Sequence, residues 1–224
     1  MAQAKNNSSL DLTDAVSQSE AFILKNRKLL IAGIVAIIVI VGGAFAAKYL
    51  YFDPRSEKAD TMLALGETYF ETRDYEKALN GDGKGYLGYV KIADQYGSTD
   101  AGNLANLYAG LCYAQQGKTK EAIKFLEAFD TQDDVTVSPA ALSALANCYA
   151  TDKQLDKAVE TFKKAAELSG ENNMAPICLK QAAEILESQN KKDEALKLYQ
   201  EIKDKYMTSI TANDIDKYIE RVSK

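Results

Sequence analysis

Between Leu29 and Ala47 the chain reads LLIAGIVAIIVIVGGAFAA, a stretch without one charge or a polar face. Nothing else in the sequence constrains the fold as tightly. These 19 residues, at about 1.5 Å each, make a helix of roughly 28 Å, the hydrocarbon thickness of a bilayer. A helix on the surface of a soluble domain needs a polar stripe, and none is present. Two readings compete. Ala44-Phe45-Ala46 is a small-x-small triplet of the kind a signal peptidase cleaves, so the run is readable as a leader. It is longer than a leader core, however, and 28 mostly polar residues precede it, with Asp11, Asp14 and Glu20 among them. Lys48, Tyr49, Tyr51 and Phe52 follow directly, the amphipathic residues that gather where a spanning helix meets headgroups. A retained anchor over 25–52 is therefore expected, in contact with the lipid bilayer from Leu29 to Ala47. Lys25, Arg27 and Lys28 abut its N-terminal end, which puts a polar, disordered tail (1–24) in the cytoplasm and residues 53–224 on the far side.

Residues 53–224 suffice for one domain with a substantial core. They carry 22 basic and 29 acidic side chains, a net charge of −7, dispersed along the chain. Such a surface does not attract nucleic acid or anionic lipid. Histidine is absent, which removes the commonest general base and the commonest zinc ligand. The paired acids Asp133-Asp134 and Asp193-Glu194 fall at expected loops or helix starts, where solvent and the helix dipole already favour them. Serine and cysteine nucleophiles have no histidine partner. No catalytic residue, cofactor or metal site is expected. Cys112, Cys148 and Cys178 form an odd set without C-x-x-C and read as small buried hydrophobes, with a Cys112–Cys148 bridge as the alternative.

The far portion repeats. ALGETYFETRDYEKAL, YAGLCYAQQGKTKEAI, ALANCYATDKQLDKAV and QAAEILESQNKKDEAL align so that Tyr69, Tyr113, Tyr149 and Leu186 each precede an alanine by nine residues. Those alanines, 78, 122, 158 and 195, are spaced by 44, 36 and 37 residues. Small residues at Gly66, Gly110, Ala146 and Ala183 let two helices approach closely, and Phe162 and Tyr199 plug the gap between them. Apolar positions recur at three and four, so helices are expected and strands are not. Ser138-Pro139 reads as an N-cap and first helical residue, and Gly97 and Gly117 read as terminators. The surplus in the long first unit, NGDGKG (80–85), lacks a phosphate-loop pattern and spaced calcium ligands, and is expected to be a flexible break.

This pattern resembles the tetratricopeptide repeat. The resemblance implies an all-α fold: a single N-terminal transmembrane helix, then an α-solenoid of four helical hairpins (59–97, 98–134, 138–170 and 173–207) closed by a polar capping helix at 211–223. The first helix of each hairpin lines the concave side of such a stack. The family's spacing points Leu63, Glu67, Phe70, Leu107, Leu111, Ser143, Asn147, Lys180 and Glu184 inward, as a candidate groove for a partner or client. Leu63, Phe70, Leu107 and Leu111 make either an apolar strip there or packing against neighbouring helices. Leu63 and Glu67 stand where some family members carry a Lys/Asn clamp for a C-terminal carboxylate, so that clamp is not expected.

The whole layout, a tail ending in EAFILKNRK, one span, the exit KYLYFDPR and a small repeat domain, resembles the YfgM family of bacterial inner-membrane proteins. The long first unit is similar to those of Bacteroidota relatives. The resemblance implies an accessory subunit of the Sec translocon, with the SecYEG channel and a PpiD-like periplasmic chaperone as partners and secreted polypeptides in transit as clients. A scaffold of another envelope assembly or secretion machine is the alternative.

Overall fold

The computed structural model describes residues 8–170 and 174–224, with side chains from residue 22 onward. The fold is all-α, with no strand among the described residues. In chain order it comprises α1 (Ser8–Ala47), a π-helical turn (Lys48–Phe52), α2 (Asp53–Glu71), α3 (Tyr75–Asn80), α4 (Tyr89–Tyr96), α5 (Asp100–Gln115) and α6 (Thr119–Glu127). It continues with α7 (Val137–Thr151), α8 (Leu155–Ser169), α9 (Met174–Ser188), α10 (Lys192–Lys205), a 3-10 turn (Ile210–Asp214) and α11 (Ile215–Ser223). Two compact units result, Met1–Pro54 and Arg55–Lys224.

In the first unit the apolar run is helical and has no protein to bury against: Leu29 is 73 % and Ile40 70 % exposed. It lies in the one helix among the described residues that is long and apolar enough to cross a membrane. At its end the hydrogen-bond register widens, the Asp53 N–H donating to the Lys48 carbonyl. Tyr49, Leu50, Tyr51 and Phe52 ride on this wider turn and all remain exposed. The tail differs from expectation. Helix α1 begins at Ser8, inside the segment whose composition reads as disordered, because extending an existing helix costs far less than nucleating one. Residues 1–7 of that segment lie outside the described residues.

The second unit is a stack of helical hairpins, and its repeat is written in the turns. The turn residues Arg73 (φ 60°), Gly117 (φ 71°), Lys153 (φ 62°) and Asn190 (φ 61°) all adopt the left-handed conformation. In each case the next N–H donates back to the residue that opens the repeat motif: Asp74 to Tyr69, Lys118 to Tyr113, Gln154 to Tyr149 and Lys191 to Leu186, at 2.8–2.9 Å. Such 6→1 bonds satisfy carbonyls that a helix end leaves orphaned and reverse the chain. Each turn then feeds a fully buried alanine (78, 122, 158 or 195). The small residues opposite explain the closeness. A Cβ on Gly110 would lie 2.5 Å from Leu126 Cγ, and one on Gly66 2.6 Å from Tyr89 Cε1. Ala146 and Ala183 hold the same place in the later units and are fully buried, as are Phe162 and Tyr199 in effect.

The long first unit departs from the flexible break expected at 80–85. Its second helix is split into α3 and α4, and the segment between them is tied down by Asp82. One Asp82 oxygen accepts from the N–H groups of Lys84 (2.8 Å) and Tyr86 (3.1 Å), while the other accepts from the Tyr69 hydroxyl (2.9 Å). The Tyr86 hydroxyl donates to the Ala78 carbonyl at 2.7 Å. Gly81 (φ 92°) and Gly88 (φ 88°) are required, since a Cβ at either would strike backbone across the loop within 2.4 Å. Another correction concerns α7. Ser138 is not its N-cap but lies one residue inside the helix, and Asp134 does the capping by accepting from the N–H groups of Thr136, Val137 and Ser138. The closing helix α11 is amphipathic rather than polar, with Ile215 and Val222 buried against α10.

Two substitutions test this account in one thermal-unfolding series. Gly110→Ala forces apart α5 and α6 and is expected to cost about 1–3 kcal/mol. Lys153→Gly relieves a left-handed side chain and is expected to raise stability by about 1 kcal/mol, a midpoint shift of roughly 2–4 °C. Equal melting of all three proteins would contradict it.

Candidate protein-interaction surface

Helices α2, α5, α7 and α9 are the first members of their hairpins, and α5 meets α7 as α7 meets α9. Their shared side holds the expected inward residues, but not as an open apolar strip. Leu63 is 8 % and Leu107 7 % exposed; each is part of the packed core, Leu63 with Tyr89 and Leu107 with Leu126 and Leu145 among its neighbours. Phe70 and Leu111 are half-buried at the edges of the same clusters. Here packing wins over the groove: the first unit's extra helix brings apolar surface to Leu63, and α6 and α7 bring it to Leu107. The polar positions are open. Glu67 is exposed and accepts from the Tyr108 hydroxyl at 3.2 Å, a link between the first helices of consecutive units. Asn147 is exposed, its amide nitrogen donating to the Ser143 carbonyl one turn back at 2.9 Å.

Farther along, Asn147 and Ala150 of α7 face Gln181, Glu184, Ile185 and Ser188 of α9 across a shallow depression of about 330 Å³. Lys180 pairs with Glu184 at 3.8 Å and lies 4.4 Å from the centre of the Tyr218 ring on α11. Arg221 anchors that helix by a two-pronged ion pair to Glu187 (2.6 and 2.7 Å), an oxygen of which also accepts from Tyr199. The Arg221 guanidinium holds the Glu187 carboxyl below its usual range. The expected anchor residues fall together in the first unit: Leu29 and Ala47 in α1, and Lys48, Tyr49 and Tyr51 on the π-helical turn, with Lys48 5.9 Å from the centre of the Tyr49 ring.

Residue spacing did not disclose the aromatic grouping at the first two units. Tyr108 stacks on Tyr89 (5.0 Å, 11°) and meets Phe70 edge-on at 5.2 Å. The signal was present in α5: Ala105, Ala109 and Cys112 mark its buried face, which leaves Tyr108 on the flank toward α2. The three cysteines are unpaired and buried, so the Cys112–Cys148 bridge is not formed. Burial pushes the Cys112 thiol up to about 12, far from nucleophilic use. Among the described residues no group of three or more His, Cys, Asp or Glu is placed to hold a metal.

This geometry has counterparts among known proteins. A family described as "Suppressor of spindle checkpoint defect 1 C-terminal domain" matches residues 109–213. The solved structures with similar folds include kinesin light chain TPR-like repeats from Podosopora anserina, with a TM-score of 0.55 at 13 % identity over 75 % of this chain and 86 % of that one. MamA gives a TM-score of 0.54 at 16 % identity over 74 % and 90 % of the two chains. The likeness to these solved structures shows a TPR-like fold. A curated relative from Buchnera aphidicola subsp. Schizaphis graminum, an ancillary SecYEG translocon subunit, is 31 % identical over 96 residues, 43 % of this chain. The match spans half the length of that relative.

The cap offers a pH test. A carboxyl whose folded pKa lies below its unfolded value stabilises the fold fully above the unfolded value, about 4.3, and loses that contribution as the pH falls through the folded one. Glu187 is such a group. Glu187→Gln is expected to lower the unfolding midpoint at pH 7 and to flatten its decline below about pH 4.5. Parallel acid curves for variant and parent would refute the role.

Proposed function

We propose that this chain is a membrane-anchored interaction scaffold attached to the Sec translocon, a YfgM-like protein of the Bacteroidota type. In this reading α1 spans the inner membrane with the N-terminus in the cytoplasm, and the solenoid works in the periplasm. SecYEG is one partner and a PpiD-like chaperone another, and the clients are polypeptides leaving the channel. The observation that carries the proposal is the joining of a helix apolar on every side, with no protein covering it, to a solenoid built like other TPR stacks. A bilayer covers such a helix at no cost, whereas water does not. The sequence similarity to a translocon subunit supports the Sec machinery as the one it joins. No enzymatic role enters this reading: the inner side presents amides, single carboxylates and half-buried rings, which suit polypeptide contacts.

Extraction of the full chain in mild detergent, followed by mass spectrometry of what stays attached, tests the partners. Channel subunits and PpiD-like chaperones are expected in excess over an unrelated single-span control. Intact mass of the extracted chain is expected to retain α1. Equal recovery in the control, or a mature chain beginning near Lys48, would overturn the proposal.

A further inference from the structure

The inner side of the first two units has a chemistry of its own. Glu67 and Glu71 are exposed on α2, one turn apart, and neither has an ion-pair partner among the described residues. Beside them stand Phe70 and Tyr108, half-buried, with Tyr108 holding Glu67 in place at 3.2 Å. Elsewhere the domain covers its own rings with cations: Lys118 lies over Tyr113 (5.7 Å), Lys157 over Tyr149 (5.1 Å) and Lys180 over Tyr218 (4.4 Å). Phe70 and Tyr108 have no such cover among the described residues. Tyr89 is fully buried under Tyr108, its hydroxyl end set against α2 at Gly66, next to Glu67. That hydroxyl has no hydrogen-bond partner. Unmet capacity of this kind in a low-dielectric setting is costly. The site thus combines two unpaired carboxylates, uncovered ring edges and faces, and a spare polar group.

We infer that Glu67, Glu71, Phe70 and Tyr108 form a docking site for an arginine or lysine of an extended polypeptide segment. The inference rests on the scaffold reading above and specifies the client chemistry that its inner side accepts. A guanidinium meets all three features: its planar fork bonds a carboxylate with two N–H groups, its face stacks on aromatic rings, and it has donors left for a nearby hydroxyl. The sign is opposite to that of a clamp for a C-terminal carboxylate, since position 67 offers a negative charge. An anionic segment is repelled here, and an apolar one leaves the carboxylates unpaired.

Fluorescence anisotropy on the full chain in detergent micelles tests this with three labelled, unstructured peptides that differ only in carrying arginine, lysine or glutamine at the same positions. The arginine peptide is expected to bind about tenfold more tightly than the glutamine peptide, with lysine between, and the preference is expected to shrink with added salt. The Glu67→Gln/Glu71→Gln variant is expected to erase the preference with an unchanged melting curve, while Glu160→Gln/Glu167→Gln on α8 controls for the same change in net charge and keeps it. Tyr108→Phe, which frees Glu67 but keeps the ring, is expected to weaken arginine binding severalfold. Equal affinity for all three peptides, no binding of any, or a preference that survives the double substitution overturns the inference. Channel co-purification is scored separately, so a chain that prefers arginine but brings down no channel sinks the translocon proposal alone.

Discussion

The solenoid depends on how closely two helices of one hairpin are allowed to approach. Gly110 leaves no room for a Cβ against Leu126, nor Gly66 against Tyr86 and Tyr89, and alanines 78, 122, 158 and 195 are fully buried on the second helices. Backbones this near each other exclude water and bring the larger side chains, Phe162 and Tyr199 among them, into contact across the next interface. The left-handed turns set the angle at which each second helix returns, so the alanines arrive in register. Remove the small residues and the hairpins splay; the inner side then has no fixed spacing between Glu67 and Tyr108.

Much of this was legible in the sequence because repetition exposes it. The alanine steps and the Tyr/Leu nine residues upstream placed the hairpins, and the small residues marked the crossing points. The turn conformation itself was hidden, because Arg73, Lys153 and Asn190 occupy a position at which glycine is the familiar sign and only Gly117 supplies it. The family's spacing pointed to Leu107, which is packed away, and passed over its neighbour Tyr108, which reaches α2. The ordered segment at 81–88 was missed for a different reason. Its glycines look like slack, yet Asp82 turns them into a fixed corner by accepting from two N–H groups and a tyrosine hydroxyl.

The two ends of the solenoid are finished differently. At the start, the α3–α4 segment folds over α2 through Tyr69, Tyr86 and Asp82, and Arg55 closes the end of α4 by donating to the Gln95 carbonyl and lying 5.1 Å from the centre of the Tyr96 ring. At the other end, α11 is held by Ile215 and Val222 beneath and by the Arg221–Glu187 pair at its rim. At that end α11 occupies the face of the last hairpin onto which another would stack. Lys180, neutralised by Glu184 and sheltered by Tyr218, leaves the inner side more acidic near its beginning than near its close.

The non-glycine turns also have a mechanical consequence. A long side chain forced into the left-handed region raises the energy of the closed hairpin, so the first and third hinges, at Arg73 and Lys153, start nearer to opening than the second, where Gly117 carries no such load, or the fourth, where asparagine tolerates the conformation. Compliance is therefore uneven along the rod. Under tension the joints at Arg73 and Lys153 yield before the α5–α6 link, whose first helix presents Tyr108 to Glu67.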